Sequence, residues 1–317
     1  MAVPSGRIQY AVTQKPAEDE ANRAALRRLR EGFDLFQKLP SWARSVIGGL
    51  VIGMVLVSVV WAWPSKQIHS SGEPNLNDQL SAFFGPGLHP RSGGSFGIDR
   101  IDIQRSSGTP FGYFARVTYP AYSSSTRAST TSEGITVGGS QLYLRDAAGS
   151  TDHAFLRYYL RIPSGFNWVK GGKLPGLYGG TVTSGRKIPD GADGLSTRYM
   201  WRAGGAGEVY AYLPTSVQHG TSLGRGNWNW PTNQWACVEQ EVTLNEPGKD
   251  NGSVNVWLNN SQVLAQRGLT FRSSPSLQID GLFFSTFFGG GDQTWATPIQ
   301  QHVDFADFEI SRSHIGC

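Results

Sequence analysis

The sequence predicts an all-β domain, an antiparallel β-sandwich or jelly roll, preceded by a cytoplasmic amphipathic helix and a single transmembrane helix. Three observations predict it. From about Phe96 to the C-terminus, short alternating stretches are separated by Gly, Asn, Asp and Pro turns. Ahead of them lies one uncharged run of nineteen residues, Ser45–Trp63. The 317 residues are 39% hydrophobic and 16% charged, with 40 glycines, which suffices for a buried core and excludes disorder over most of the length. The composition also lacks the Ala/Glu/Lys/Leu richness of a helical protein.

In chain order, residues 1–44 read as a cytoplasmic segment. Within it, Ala17–Leu39 forms a short amphipathic helix with Leu26, Leu29, Phe33 and Phe36 on one stripe. That stripe suits an anionic inner leaflet or a neighbour, and a solvated juxtamembrane helix fits equally. Residues 45–63 span about 28 Å as a helix, close to the ~30 Å hydrocarbon core of a bilayer. Arg23, Arg27, Arg28, Arg30, Lys38 and Arg44 precede the span and only Lys66 soon follows, which predicts a type II signal anchor. The rest of the chain would then lie outside the cytoplasm, in a periplasmic, extracellular or lumenal space. Trp61 and Trp63 suit the outer interface and Pro64 ends the helix. Cleavage after Ala62 is the competing reading. Residues 64–94, rich in Ser, Gly, Pro and Asn, read as a linker.

Residues 95–317 read as one domain. Strands are expected over Gly112–Tyr119, Ala154–Ile162, Leu195–Arg202, Val209–Leu213, Val238–Leu244, Ser253–Leu258, Gly281–Phe288 and Val303–Ile310. The formal net charge of +4 comes mostly from the first 44 residues, with eight Lys/Arg against five Asp/Glu. From Pro64 onward the count is twenty against nineteen, and no basic helix or RNA-binding aromatic signature is present, which excludes a nucleic-acid partner. Neither a CxxC nor a clustered His/Cys set is present, so no metal or other cofactor is expected.

The informative block runs from Lys170 to Pro214. On an extended strand Ser196, Arg198, Met200 and Arg202 share one face, while Leu195, Thr197, Tyr199 and Trp201 share the other. Tyr210 and Tyr212 likewise share a face, and the intervening AGGAG predicts a hairpin. If Arg202 opposes Glu208, Met200 lies across from Tyr210 and Arg198 across from Tyr212. One surface then gathers Ser196, Arg198, Tyr210 and Tyr212, whereas a one-residue slip separates them. Taken alone, this set also fits ordinary cross-strand pairs. The local charge favours more, because Lys170–Arg202 holds six Lys/Arg against Asp190 and Asp193. A cationic face lined by phenols suits a polyanion.

KLPGLYGG, DGxDGxSxRxMWR, GExYAYLP, EQxVxLN, FFSTFFGGGDxxWA and DFxDFxIS occur in order between Ala154 and Ser311. In these motifs the chain resembles the family 14 polysaccharide lyases, alginate and glucuronan lyases of viral, molluscan and microbial origin. The resemblance implies a β-jelly roll (concanavalin A-like antiparallel sandwich) and β-elimination of a polyuronate. It also implies a functional set of Lys173, Ser196, Arg198, Tyr210 and Tyr212, with no substitution among them. The membrane anchor lies outside the resemblance.

These residue types suit the reaction. Elimination removes the proton on C5 of a uronate, which is weakly acidic because the adjacent carboxylate already carries charge. Arg198, with its donor fork, is the expected clamp on that carboxylate, helped by the Ser196 hydroxyl. A base takes the C5 proton and an acid protonates the departing O4. Tyr210 and Tyr212 are assigned to proton transfer, and a phenolate base would need Arg198 and Lys173 to lower its pKa from about 10. Lys173 is either a base or a sugar ligand.

Other candidates rank lower. His153 and His302 belong to no matching motif, and His219 reads as a surface-loop residue. Asp304, Asp307 and Glu309 evoke a glycosidase pair, but Glu-x-Asp-x-Glu is absent and turn and sheet-edge roles fit better. Trp228 and Trp230 offer rings that could stack on sugars, whereas Trp235 reads as core. Cys237 and Cys317 form an even pair compatible with a disulfide on an oxidising side, and Asn251 and Asn259 fit glycosylation sequons. The rival to a lyase is a non-catalytic, membrane-anchored carbohydrate-binding module, and a third reading is a hydrolase using Asp307 or Glu309.

Overall fold

The computed structural model describes residues 76–106 and 109–317. The helices expected over 17–39 and 45–63 lie outside them. Among the described residues, no helix is long and apolar enough to cross a membrane.

Two seven-stranded sheets pack face to face. The first runs, in spatial order, β1 (Leu88–Pro90), β6 (Ser140–Asp146), β15 (Gly281–Phe288), β8 (Gly171–Gly180), β9 (Gly194–Arg202), β10 (Gly207–Tyr212) and β11 (Thr221–Leu223). The second runs β14 (Ser261–Leu269), β13 (Gly252–Leu258), β12 (Trp235–Thr243), β7 (His153–Arg161), β16 (Gln301–Ser311), β3 (Tyr113–Tyr119) and β2 (Ile101–Arg105). All ladders in both sheets are antiparallel. A small parallel pair, β4 (Ser123–Ser124) with β5 (Thr136–Val137), flanks the short helix α2 (Thr126–Thr131).

Period-two alternation builds the core. On β7, Ala154, Leu156, Tyr158 and Leu160 point inward, while Arg157, Tyr159 and Arg161 point out. On β9, Leu195, Tyr199 and Trp201 are the inward set, as their alternation predicts. All eight expected segments are strands, with bounds shifted by no more than three residues.

Two features differ from expectation. The helix α1 (Leu76–Phe84) and β1 lie within the expected linker, and Leu80, Phe84 and Leu88 join the core. Phe84 packs against Phe284 and Phe308, an anchoring that a Ser/Gly-rich average conceals. β8 was legible as a motif but not as a strand, because Pro175 and five glycines weaken any strand pattern. Here the glycines are steric requirements: a β-carbon on Gly172 would lie 2.1 Å from the Trp201 ring, and one on Gly179 would lie 1.9 Å from Gln278 O.

Cys237 on β12 is joined to Cys317 by a disulfide. The tail is further held by Glu239, whose carboxylate accepts from the Ile315 and Gly316 N–H groups (2.8 and 2.9 Å).

Candidate functional site

The outer face of the first sheet carries the site. Its centre is the β8–β9–β10 ladder, and the phase of β8 is set by a bulge at Pro175. Lys173 pairs with Met200, but beyond the shift between Leu174 and Gly176 it is Gly176 that pairs with Arg198 and Tyr178 with Ser196. Pro175 has no N–H for the ladder, so a bulge is its natural place in a central strand. Lys173 and Tyr178 therefore both face the groove while Leu174 and Leu177 face the core.

The hairpin register differs from the one expected. Tyr210 opposes Arg198, Tyr212 opposes Ser196 and Glu208 opposes Met200. The connection is tighter than assumed: Ala203–Gly205 forms a single 3-10 turn, closed by Arg202 N–H donating to Ala206 O at 2.7 Å. Gly204 (φ 70°) and Gly205 (φ 84°) supply its left-handed positions. The shift is two residues, so the face of each side chain is preserved and the set stays together. Arg202 and Glu208 still meet, diagonally: Glu208 Oε1 accepts from Arg202 Nε (2.9 Å) and Nη2 (2.5 Å).

All five expected site residues lie on this face. Arg198 is 2% exposed and Lys173 8%, and neither has a carboxylate partner among the described residues. The Arg198 guanidinium lies over the Phe283 ring at 4.6 Å and donates from Nη1 to Ser285 Oγ (3.1 Å). Ser285 in turn donates to Gln141 Oε1 (3.1 Å). Register places Gly176 between Arg198 and Phe283, so the missing side chain there leaves the guanidinium its path. Lys173 Nζ stands 4.0 Å from the Tyr210 ring centre and donates to Met200 Sδ at 2.7 Å, a weak acceptor. Tyr210 and Tyr212 meet edge to face at 5.8 Å, and the Tyr212 hydroxyl accepts from Arg186 N–H at 3.5 Å.

Ser196 is buried, and its hydroxyl donates to Thr183 O (2.7 Å). It shares the face with Arg198, but in this structure its proton is committed to the loop over 181–193.

Electrostatics separates the proton carriers. Burial holds the Lys173 amine well below the ordinary lysine pKa, and Arg198 and Arg202 push the same way against Glu208. Burial and then Tyr212 push Tyr210 up to about 12, and the nearby Arg202 and Arg198 offset this only in part. The net lowering that a phenolate base at Tyr210 would need is therefore not reached, because desolvation outweighs the cations. Burial lowers Arg198 as well, yet a guanidinium keeps its charge in any protein site.

The remaining candidates fall elsewhere. Asp304 is buried on the second sheet between Arg116 (2.8 Å) and Arg161 (2.7 Å), while Asp307 and Glu309 both pair with Arg157. These acids lie on β16, an interior strand, so the sheet-edge role is corrected to ion pairing across neighbouring strands. His153 contacts Glu241, His302 lies on β16, and His219 is exposed in a turn. Trp228 and Trp230 are buried in the core against Tyr199, which removes them as sugar-stacking platforms. Trp235 packs with Phe111 and Phe114 on the second sheet. Among the described residues, no group of three or more His, Cys, Asp or Glu is arranged to hold a metal ion.

Sequence reasoning missed Phe283, Ser285 and Gln141. Alternation along Gly281–Phe288 puts Phe283 and Ser285 on one face, but nothing local says that β15 lies next to β8.

The family described as polysaccharide lyase 14 matches residues 111–308. The crystal structure of the marine PL-14 alginate lyase from Aplysia kurodai is similar, with 29% identity, 73% of this chain and 92% of that one covered, and a TM-score of 0.61. Alginate lyase vAL-1 from Chlorella virus is 18% identical, with 75% of this chain and 96% of that one covered and a TM-score of 0.61, a likeness of fold. No curated protein sequence matches the chain significantly.

Proposed function

Because the chain belongs to the polysaccharide lyase 14 family, we propose that this lyase cuts an acidic polyuronate, of alginate or glucuronan type, by β-elimination at the face centred on Arg198. The observation that carries the substrate class is the buried Arg198 guanidinium, which has no carboxylate partner among the described residues. A buried charge without a counter-ion is costly, and a uronate carboxylate supplies one. The Aplysia kurodai relative is itself an alginate lyase.

Arg198 neutralises the carboxylate at the reacting sugar, and that neutralisation acidifies C5–H. Ser285 and Phe283 hold the guanidinium in place, and Ser196 borders the same pocket. Lys173, kept neutral by burial, takes the C5 proton. The C–H electron pair becomes the C4=C5 double bond as the C4–O4 bond breaks. Tyr210, which holds its proton up to about 12, gives that proton to O4, and Tyr212 shapes the pocket beside it. Once the product leaves, the ammonium of Lys173 gives its proton to water and the phenolate of Tyr210 takes one back, so the site resets.

The sequence alone carries the location: the nineteen uncharged residues 45–63 and their basic N-terminal flank support a type II anchor with the lyase domain outside the cytoplasm. Alkaline carbonate extraction of membranes tests it, and release of the full-length chain counts against it.

The test of activity is incubation with alginate, glucuronan and related polyuronates while following absorbance of the 4,5-unsaturated product. Absorbance should rise on at least one. Binding without chain shortening would favour a carbohydrate-binding module instead, and shortening with saturated ends would favour a hydrolase.

A further inference from the structure

Two loops border the groove outside the five side chains. Residues 181–193 join β8 to β9 and are tied to the site face at three points. Ser196 Oγ donates to Thr183 O, the Tyr143 hydroxyl bonds Thr183 Oγ1 (2.8 Å), and Arg186 N–H reaches the Tyr212 hydroxyl. Residues 289–292 follow β15 and are fixed to α2. Ser125 Oγ donates to Gly290 O (2.6 Å) while accepting from Ala128 N–H (3.2 Å) as the cap of α2, and Thr131 Oγ1 donates to Gly291 O (3.0 Å).

The loops meet at Gly291. A β-carbon placed there would lie 3.5 Å from Arg127 Nε and 3.6 Å from Arg186 Nη2, so two exposed guanidinium groups converge around one point. Neither side chain makes an ion pair or hydrogen bond among the described residues. The nearest acid in sequence, Asp292, is engaged elsewhere: it accepts from Thr294 N–H (2.9 Å) and the Thr294 hydroxyl, and the cation acting on it is Lys170. Two like charges held together repel unless an anion joins them, and paired guanidinium forks match a carboxylate.

We propose that Arg127 and Arg186 form a second carboxylate subsite, which grips another uronate of the same polymer chain while Arg198 holds the reacting one. This deepens the polyuronate reading above and rests on it. The Arg186 backbone touches Tyr212, so the subsite is continuous with the groove. Its consequence is a chain-length preference: an oligomer long enough to reach both places binds better than one that fills only the reacting position.

The test uses Arg127→Gln, Arg186→Gln and the double variant, with two readouts on oligouronates of increasing length. One is the rate of unsaturated product formation. The other is equilibrium binding by calorimetry in a Tyr210→Phe background, which needs no turnover. Each single substitution should weaken binding of long oligomers by about two- to fivefold, as expected for exposed ion pairs. In the double variant the preference for long over short oligomers should shrink further, and the loss should ease at high salt. An unchanged length preference, or an equal proportional loss for long and short oligomers, overturns the subsite. Absence of unsaturated product from the wild-type protein would instead overturn the lyase chemistry, and the calorimetric comparison would still decide the subsite.

Discussion

Lys173 Nζ stands 4.0 Å from the centre of the Tyr210 ring, and burial moves the two groups in opposite directions. The amine loses its proton more easily than an ordinary lysine, and the phenol holds its own up to about 12. One desolvated face thus favours the neutral forms of a base and an acid side by side. This is the arrangement a concerted elimination uses.

The pH dependence follows. Activity should rise with pH as Lys173 loses its proton, at a pH below the ordinary lysine range, and should fall only as Tyr210 ionises near 12. The profile of kcat/KM against pH checks this. An acid limb that persists unaltered in Lys173→Gln would assign the base to another group.

Arg198→Ala should lower kcat/KM at least about hundredfold, the scale of losing a group that stabilises developing negative charge. Arg198→Lys should recover only part, because an ammonium lacks the fork that spans Ser285 and the substrate. Near-normal turnover in Arg198→Ala would remove the clamp.

Lys173→Met should stabilise the fold while abolishing activity. Between the lowered pKa of the folded state and the ordinary value of the unfolded chain, the unfolded chain binds the extra proton, so wild-type stability rises with pH across that window. The gain from Lys173→Met should be about 1–3 kcal/mol near neutral pH, the scale of removing an ill-satisfied buried polar group, and should shrink toward pH 10. Denaturant melts at several pH values measure it, and a loss of stability at neutral pH would contradict the assignment.

Gly176→Ala tests the bulge. The new β-carbon would lie 2.2 Å from Thr197 O and 2.5 Å from Arg198 Cα, both backbone atoms of the adjacent strand. A destabilisation of about 1–3 kcal/mol, as for an overpacked site, should accompany loss of activity. Melting and turnover measured together check it, and a neutral outcome would mean that β8 can shift without disturbing Arg198.

Cys317→Ser should lower stability by about 2–4 kcal/mol and leave kcat within about twofold, since the disulfide lies on the second sheet and the reacting face on the first. Thermal unfolding with and without reductant checks the first part, and a large loss of kcat would contradict the separation.

Much of this arrangement is written in local periodicity. Inward residues of β7 and β9 can be read directly, because alternate side chains must fall on alternate sides of a pleated strand. The same parity put Ser196, Arg198, Tyr210 and Tyr212 on one face, and it survived a wrong register because the error was two residues. Local pattern could not see that β8 is a strand, since its glycines and Pro175 describe what neighbouring strands exclude rather than what β8 itself prefers.

The sequence by itself determined the sandwich class, the face on which the arginine and phenols gather, and the residue types available for elimination. Tertiary structure alone decided that β15 lies beside β8, and so that Phe283, Ser285 and Gln141 hold Arg198. It also decided that burial favours the proton on Tyr210 and disfavours it on Lys173. Parity is a property of a single strand. Strand neighbours and desolvation depend on groups far apart in the chain, and only packing brings those together.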